Sequence, residues 1–161
     1  KAAADCLVRS YNETYGLHTI ITRCSNNYGK FQHEEKLIPM CIKNARSNLE
    51  IPVYGTGDNI RDWIFVEDHC RGIFLSLNGA KSGEVYNFGG NCEIRNLDLV
   101  KLILDKLGKS TGLIKYVKDR LGHDFRYAID YSKANKDLDW NPEVTFIEGI
   151  SKTINWYINE E

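Results

Sequence analysis

The nine residues LHTIITRCS (residues 17–25) decide the fold. They form a nearly continuous β-branched run, the mark of a strand buried on both faces of a parallel sheet. A helix feeds it. In KAAADCLVRSYNETYG (residues 1–16), Ala4, Leu7, Val8, Tyr11 and Tyr15 recur at three- and four-residue spacing, one stripe of a 3.6-residue period, and Gly16 ends it. A helix running into a buried strand predicts α/β. The front of that helix has no Met, no Ser, Thr, Asp or Asn cap and no capping box, so either its first turn frays or the helix begins before Lys1.

Downstream, the polar loop NNYGKFQHEE leads to a helix over about 36–46 and a short strand, IPVY. GTGDN turns the chain into a further strand, IRDWIFV, and these two strands either pair as a hairpin or flank a crossing. A helix carrying Ile73, Phe74 and Leu77 starts near Asp68, and GEVYNFGG is a strand stopped by two glycines. Asn96 is expected to cap a helix with Leu97, Val100, Leu104 and Leu107 on one side, ending at Gly108. GLIKYV and FRYAID are strand candidates, followed by helices over about 132–138 and 146–158. Regular alternation early and shorter mixed pieces late predict the end of a doubly wound sheet plus a small mixed α/β lobe.

With 21 Lys and Arg against 22 Asp and Glu, the overall balance points to neither nucleic acid nor an anionic membrane, so any anion site is local. The apolar runs are far shorter than a membrane span and no charged-then-apolar leader precedes them, which predicts a cytoplasmic protein. Cys6, Cys24, Cys41, Cys70 and Cys92 contain no C-x-x-C pair, and most sit in apolar patterns, as small buried hydrophobes do in a reducing compartment. The four histidines show no ligand spacing, and no metal is expected.

In open α/β sheets ligands lie beyond the carboxyl ends of the strands, where SNNYG follows the first strand. Asn26 and Asn27 offer amide groups there, for an Asx turn or for a ligand. GTGD lacks the third glycine and the following helix of a phosphate loop and is expected to be a turn. By two-residue alternation Arg61, Trp63 and Phe65 share one strand face. That arginine is either a solvated edge charge or a fork for phosphate. Arg120, His123 and Arg126 cluster in one loop, suited to a diphosphate or simply solvated. Asn87 and Asn96 each have a structural use beside any ligand role. No G-x-x-G-x-x-G, no S/T-D-E trio and no Y-x-x-x-K is present, so the residues alone support an anion-binding α/β unit.

The blocks TRCSNNYGKFQHEEKLIP, IPVYGTGDNIRDWIFVEDH, GEVYNFGGN, NLDLV, DRLGHDFRYAID and DLDWNPEVTFIEGISKTINWY, in this order, resemble the dTDP-glucose 4,6-dehydratase family of the extended short-chain dehydrogenase/reductase group. The likeness runs from residue 1 to about residue 157. Lys1 matches the lysine of the family's Y-x-x-x-K motif, which implies the C-terminal half of such an enzyme. Residues 1–34 would then be the last helix and strand of a Rossmann-like NAD domain. Residues 35–161 would be mainly a nucleotide-sugar lobe, with segments around 51–90 returning to the sheet.

The resemblance implies that bound NAD takes hydride from C4 of the glucose, that water leaves across C5 and C6, and that the hydride returns to C6. Lys1 would lower the pKa of the absent Tyr and hold the nicotinamide ribose. Cys24 and Ser25 would lie by the nicotinamide, and Asn26 would hold the sugar or its phosphate. Lys36 and the Leu37 backbone would meet the diphosphate, while Pro52 and Tyr54 wall the thymine pocket. Arg61 and Arg120 would grip the diphosphate, with His123, Asn96 and Asn87 close by. The partners implied are a dTDP-sugar and a second copy of the enzyme, docked through the first helix; that helix's stripe serves intramolecular packing equally well.

Lys30, Phe31 and Leu121 depart from the family's usual Pro, Tyr and Pro. A UDP-sugar decarboxylase or epimerase of the same group, and a non-catalytic nucleotide-sugar-binding module, are the alternative readings. An isolated half would expose strand edges and apolar faces and is expected to dissolve poorly.

Overall fold

The computed structural model describes residues 1–159. Its helices are α1 (Ala2–Tyr15), α2 (Leu37–Arg46), α3 (Val66–Gly79), α4 (Asn96–Lys106), α5 (Ser132–Leu138) and α6 (Phe146–Asn159). Its strands are β1 (Ile21–Cys24), β2 (Asn26–Tyr28), β3 (Ile51–Tyr54), β4 (Ile60–Phe65), β5 (Val85–Phe88), β6 (Glu93–Arg95), β7 (Ile114–Val117) and β8 (Arg126–Tyr127). The architecture is mixed α/β with parallel sheets, as the order of elements predicts.

β1 pairs with β5 in parallel, and β3 with β7 in parallel. β4 is the hub of the largest sheet, parallel to β2 and β8 and antiparallel to β6. IPVY and IRDWIFV therefore form no hairpin; the GTGDN turn carries the chain from one sheet to another. Period-two alternation makes β4 a wall between two cores. Trp63 and Phe65 pack with Tyr28, Ile38, Leu99, Ile103 and Ile150, whereas Ile64 packs with Tyr86, Phe88 and Trp140.

Two chain segments change sheets at the same level. Between β1 and β2 the switch is Ser25, whose N–H donates to the Phe88 carbonyl at 3.0 Å; after β5 it is the Gly89–Gly90 pair. A Cβ at Gly90 would overlap the Trp63 carbonyl, so only glycine lets the loop lie flat on β4. The buried Asp62 carboxylate fixes this joint, accepting from Gly90 N–H at 3.0 Å and Cys92 N–H at 2.8 Å, while Ser25 Oγ accepts a weaker 3.3 Å bond from Gly90 N–H. A second buried carboxylate, Asp68, accepts from Glu143 N–H at 3.1 Å and Val144 N–H at 3.0 Å, docking the approach to α6 onto α3.

Several expectations are corrected. The run at residues 17–25 is not buried on both faces: the strand spans Ile21–Cys24, only Ile21 is buried, and Arg23 turns outward to pair with Asp5 of α1. α1 buries none of its residues, and Leu7, Tyr11 and Tyr15 of its apolar stripe are exposed. α3 starts at Val66, and Ile73, Phe74 and Leu77 lie on its open face because the buried positions are Asp68, Gly72 and Ser76. Asn96 does not cap α4: Arg95 holds the cap position without a side-chain bond, and the buried face is Leu99, Val100, Ile103 and Leu104. Of the cysteines only Cys41 is buried, and Cys6 and Cys70 are exposed on the outer surfaces of α1 and α3.

Replacing Asp62 by Ala leaves the Cys92 N–H without its acceptor and the Gly90 N–H with only a long bond. Each lost charge-assisted bond costs about 1.5–3 kcal/mol, so urea unfolding of D62A should lose roughly 3 kcal/mol. S25A should lose about 1 kcal/mol.

Candidate functional site

β3, β4, the start of α2, the start of α4 and the loop before β8 converge on a cleft of about 510 Å³. Each contributes for a local reason. α2 opens without a side-chain cap, so its first-turn N–H groups stay available beside Lys36 and Leu37, both in the cleft wall. β3 presents Pro52, Val53 and Tyr54, held by its parallel pairing with β7. β4 presents Arg61 and Trp63 on one face, and Asn26 and Asn27 come from β2 beside it. Asn96 and Val100 come from α4, and Arg120 and His123 from the loop at 118–125.

The two arginines are held differently. Arg61 Nη1 donates to the Ile60 carbonyl at 2.7 Å and Nη2 to the Asp124 carbonyl at 2.8 Å, so backbone alone aims its guanidinium. Arg120 lies over the Tyr54 ring, 4.9 Å from its centroid, with Nη2 donating to His123 Nε2 at 3.0 Å. His123 Nδ1 lies 2.7 Å from Asp119 Oδ1. A neutral imidazole carrying its proton on Nδ1 serves both neighbours, donating to Asp119 and accepting from Arg120. The His123 side chain is only 6% exposed, and its hydrogen bond, with one from the Arg120 N–H, holds the Asp119 carboxyl below the usual carboxylate range.

The structure thus brings Asn26, Lys36, Leu37, Pro52, Tyr54, Arg61, Asn96, Arg120 and His123 together around one cleft. Asn87 is not in its wall: on β5, its Nδ2 donates to the Asp130 carbonyl at 3.2 Å. Lys1, Cys24 and Ser25 also lie outside it. The Cys24 sulfur accepts from Asn27 Nδ2 at 3.0 Å, and burial pushes its thiol up against that bond's opposing pull. Sequence reasoning did not assign Gln32, Glu35, Met40, Val53, Trp63 or Val100 to the site. Trp63 was within reach, since alternation puts it on the face of Arg61. Gln32 Oε1, Trp63 Nε1 and Asn96 Oδ1, all on cleft-lining residues, are buried with no hydrogen-bond partner among the described residues.

Lys36, Arg61 and Arg120 outweigh Glu35, so the cleft suits an anion, and the edges of Tyr54 and Trp63 suit a planar ring. It is built to grip: His123 has both nitrogens engaged, and no nucleophile is paired with a base in the wall. A complete dinucleotide does not fit these residues. Lys1, Cys24 and Ser25 could meet only one end of it, and no glycine-rich turn among the described residues opens a helix after a strand to hold its diphosphate. Nor does any group of three His, Cys, Asp or Glu among the described residues stand ready for a metal ion. No helix there is long and apolar enough to cross a membrane.

The family model described as GDP-mannose 4,6 dehydratase matches residues 1–153. A dTDP-glucose 4,6-dehydratase of Escherichia coli is 51% identical over 172 aligned positions, covering 100% of this chain and 48% of the relative. One from an Actinoplanes species is 46% identical, covering 98% and 49%. Among solved structures, a dTDP-glucose 4,6-dehydratase of Streptomyces venezuelae with NAD and TYD bound superposes with a TM-score of 0.96 at 45% identity, over 98% of this chain and 49% of that one. A UDP-glucose 4-epimerase of Thermotoga maritima, with a TM-score of 0.94 at 24% identity over 99% of this chain and 52% of that one, shares the fold. The chain spans about half the length of the curated relatives it matches. With its family model covering nearly the whole sequence and the cleft carried on the same α/β frame, the chain belongs to the GDP-mannose 4,6 dehydratase family.

Proposed function

We propose that this chain forms the nucleotide-sugar-binding part of an NAD-dependent dTDP-glucose 4,6-dehydratase, a lyase that turns dTDP-glucose into dTDP-4-keto-6-deoxyglucose. One observation carries the reading: Lys36, Arg61 and Arg120 line one cleft together with Pro52 and Tyr54, a set matched to a diphosphate joined to a base. Arg61 and Arg120 clamp the diphosphate with Lys36 and the Leu37 N–H. Pro52 and Tyr54 cover the thymine, and Asn26, Asn96 and His123 orient the phosphate and sugar. Asn87 sits one strand away and acts by holding the backbone at Asp130.

On this reading residues 1–34 belong to the NAD domain, with Lys1, Cys24 and Ser25 at its nicotinamide end, and 35–161 mainly to the sugar-nucleotide lobe. The active-site Tyr and the Asp–Glu pair belong to the rest of the enzyme. That enzyme works in the cytoplasm as a homodimer and supplies dTDP-rhamnose synthesis. The open stripe of α1, with Leu7, Tyr11 and Tyr15 exposed, supports the dimer.

Calorimetric titration of the chain should show binding of dTDP in preference to UDP. R61A and R120A should each weaken it roughly 10- to 100-fold, the worth of a lost charge-assisted pair. A preference for UDP, or indifference to both substitutions, overturns the assignment.

Incubated with dTDP-glucose and NAD, the purified chain should yield no 4-keto sugar. Missing acid–base groups forfeit about 10²–10⁴-fold each. Turnover would place the reacting groups in this chain.

A further inference from the structure

His69, in the first turn of α3, is assigned no role by the cleft reading, yet its ring is half-buried beside Asn27 of β2, a residue of the cleft wall. Its Nδ1 lies 3.0 Å from Asn27 Oδ1. The Asn27 Nδ2 lies 3.2 Å from the Ser25 carbonyl and 3.0 Å from Cys24 Sγ. A carbonyl oxygen only accepts, so the amide nitrogen of Asn27 must face Ser25 and its oxygen must face His69. Two acceptors do not bond, so the hydrogen sits on His69 Nδ1. We infer that His69 is a positioning residue, which as the neutral Nδ1–H tautomer locks the Asn27 amide and through it keeps the Cys24 sulfur a hydrogen-bond acceptor beside the cleft.

The surroundings make this lock rigid. Asp68, the preceding residue, is anchored by Glu143 and Val144 N–H, and its carbonyl accepts from Trp140 Nε1 at 3.0 Å. The His69 ring stands 6.0 Å from that of Phe88. At the other end, the Asn27 carbonyl accepts from Gln32 Nε2 at 2.8 Å, and the Gln32 carbonyl accepts from Tyr157 OH of α6 at 2.6 Å. Asn27 is therefore gripped through its side chain by α3 and through its backbone by the loop that α6 supports. Burial pushes the His69 pKa down, in keeping with a neutral ring, and the amide donation to Cys24 pulls its thiol pKa down against burial. The tautomer and the thiol effect stand without any ligand; only the link to the nucleotide rests on the proposed function.

Long-range proton–nitrogen NMR of the chain should show His69 as the Nδ1–H tautomer at neutral pH; the Nε2–H form or an imidazolium overturns the inference. Peptide-resolved alkylation then reads Cys24. Removing the donor in H69F frees the Asn27 amide, so the Cys24 pH profile should move up and alkylation at pH 8 should slow at least about threefold. H69N, which keeps a donor at the Nδ1 position, should restore it. A merely structural role predicts the opposite: a loosened loop, a profile moved down toward a free thiol and faster alkylation. That result, or an unchanged profile, overturns the inference. If H69F does not fold, the tautomer of the unmutated chain decides alone. With the cleft read as above, H69F should also weaken dTDP about 3- to 10-fold; absence of dTDP binding in every form defeats that function and leaves the tautomer and thiol results standing.

Discussion

The structure depends on one buried carboxylate. Asp62 sits mid-way along β4 and accepts the N–H groups of Gly90 and Cys92, where the chain leaves β5 and turns back as β6. Without that acceptor the turn would carry an unpaired Cys92 N–H, and a Gly90 N–H with only its long bond to Ser25 Oγ, over the centre of the sheet. The bond also dictates Gly90, because a backbone drawn onto β4 by Asp62 leaves no room for a side chain against Trp63, while a side chain at Gly89 would meet Ile129 and the Asp62 carboxylate itself. Since side chains alternate along a strand, fixing Asp62 toward the switch sends Arg61, Trp63 and Phe65 the other way, to the cleft and the larger core. A joint that never touches the cleft thereby sets which side chains enter it.

The cleft reaches pre-organisation by two routes. Arg61 is aimed by backbone carbonyls, which move only if the fold moves. Arg120 hangs on side chains, a ring beneath it and a histidine beside it that is itself oriented by Asp119. Both guanidiniums are thus partly immobilised before any anion arrives, which lowers the ordering entropy that binding must offset. The routes differ in vulnerability: a change at Asp119 or Tyr54 releases Arg120, whereas nothing short of moving β4 or the loop at Asp124 releases Arg61.

Much of this was legible in the sequence, and the exceptions share a cause. α5 and α6 fall almost at their expected limits because their patterns are short and clearly bounded. α6 also opens with Thr145 and Glu148, which exchange bonds with each other's backbone N–H groups, a capping box that a closer reading of VTFIE would have found. Alternation in IRDWIFV correctly split Arg61 from Ile64. The failures concern what covers a face. Periodicity identifies an apolar stripe on α1, or Ile73, Phe74 and Leu77 on α3, but burial depends on a neighbour that periodicity does not encode. Asn96 failed for a related reason: its residue type favours a cap, yet Arg95 holds the cap position and Asn96 stands inside the first turn of α4, in the cleft wall. The family resemblance named Lys36, Arg61 and Arg120, which line one cleft, because chemistry, unlike burial, is tied to residue type.

On the proposed reading the cleft grips the nucleotide and leaves the reacting groups to the rest of the enzyme, and that division has a physical logic. A sugar offers an enzyme many similar hydroxyl groups, whereas a diphosphate offers two charges in a fixed relation that two arginine forks can meet with little ambiguity. Binding at the diphosphate and the base orients the attached sugar, and interaction energy from these remote, unreacting parts is then available to hold the reacting carbons in position. Such an arrangement works only if the grip is stiff, since a guanidinium free to follow its ligand would let the sugar swing. The Asp62 joint behind Arg61 and the Tyr54–His123–Asp119 scaffold around Arg120 meet that requirement: the stiffness comes from the groups that hold the arginines rather than from the arginines themselves.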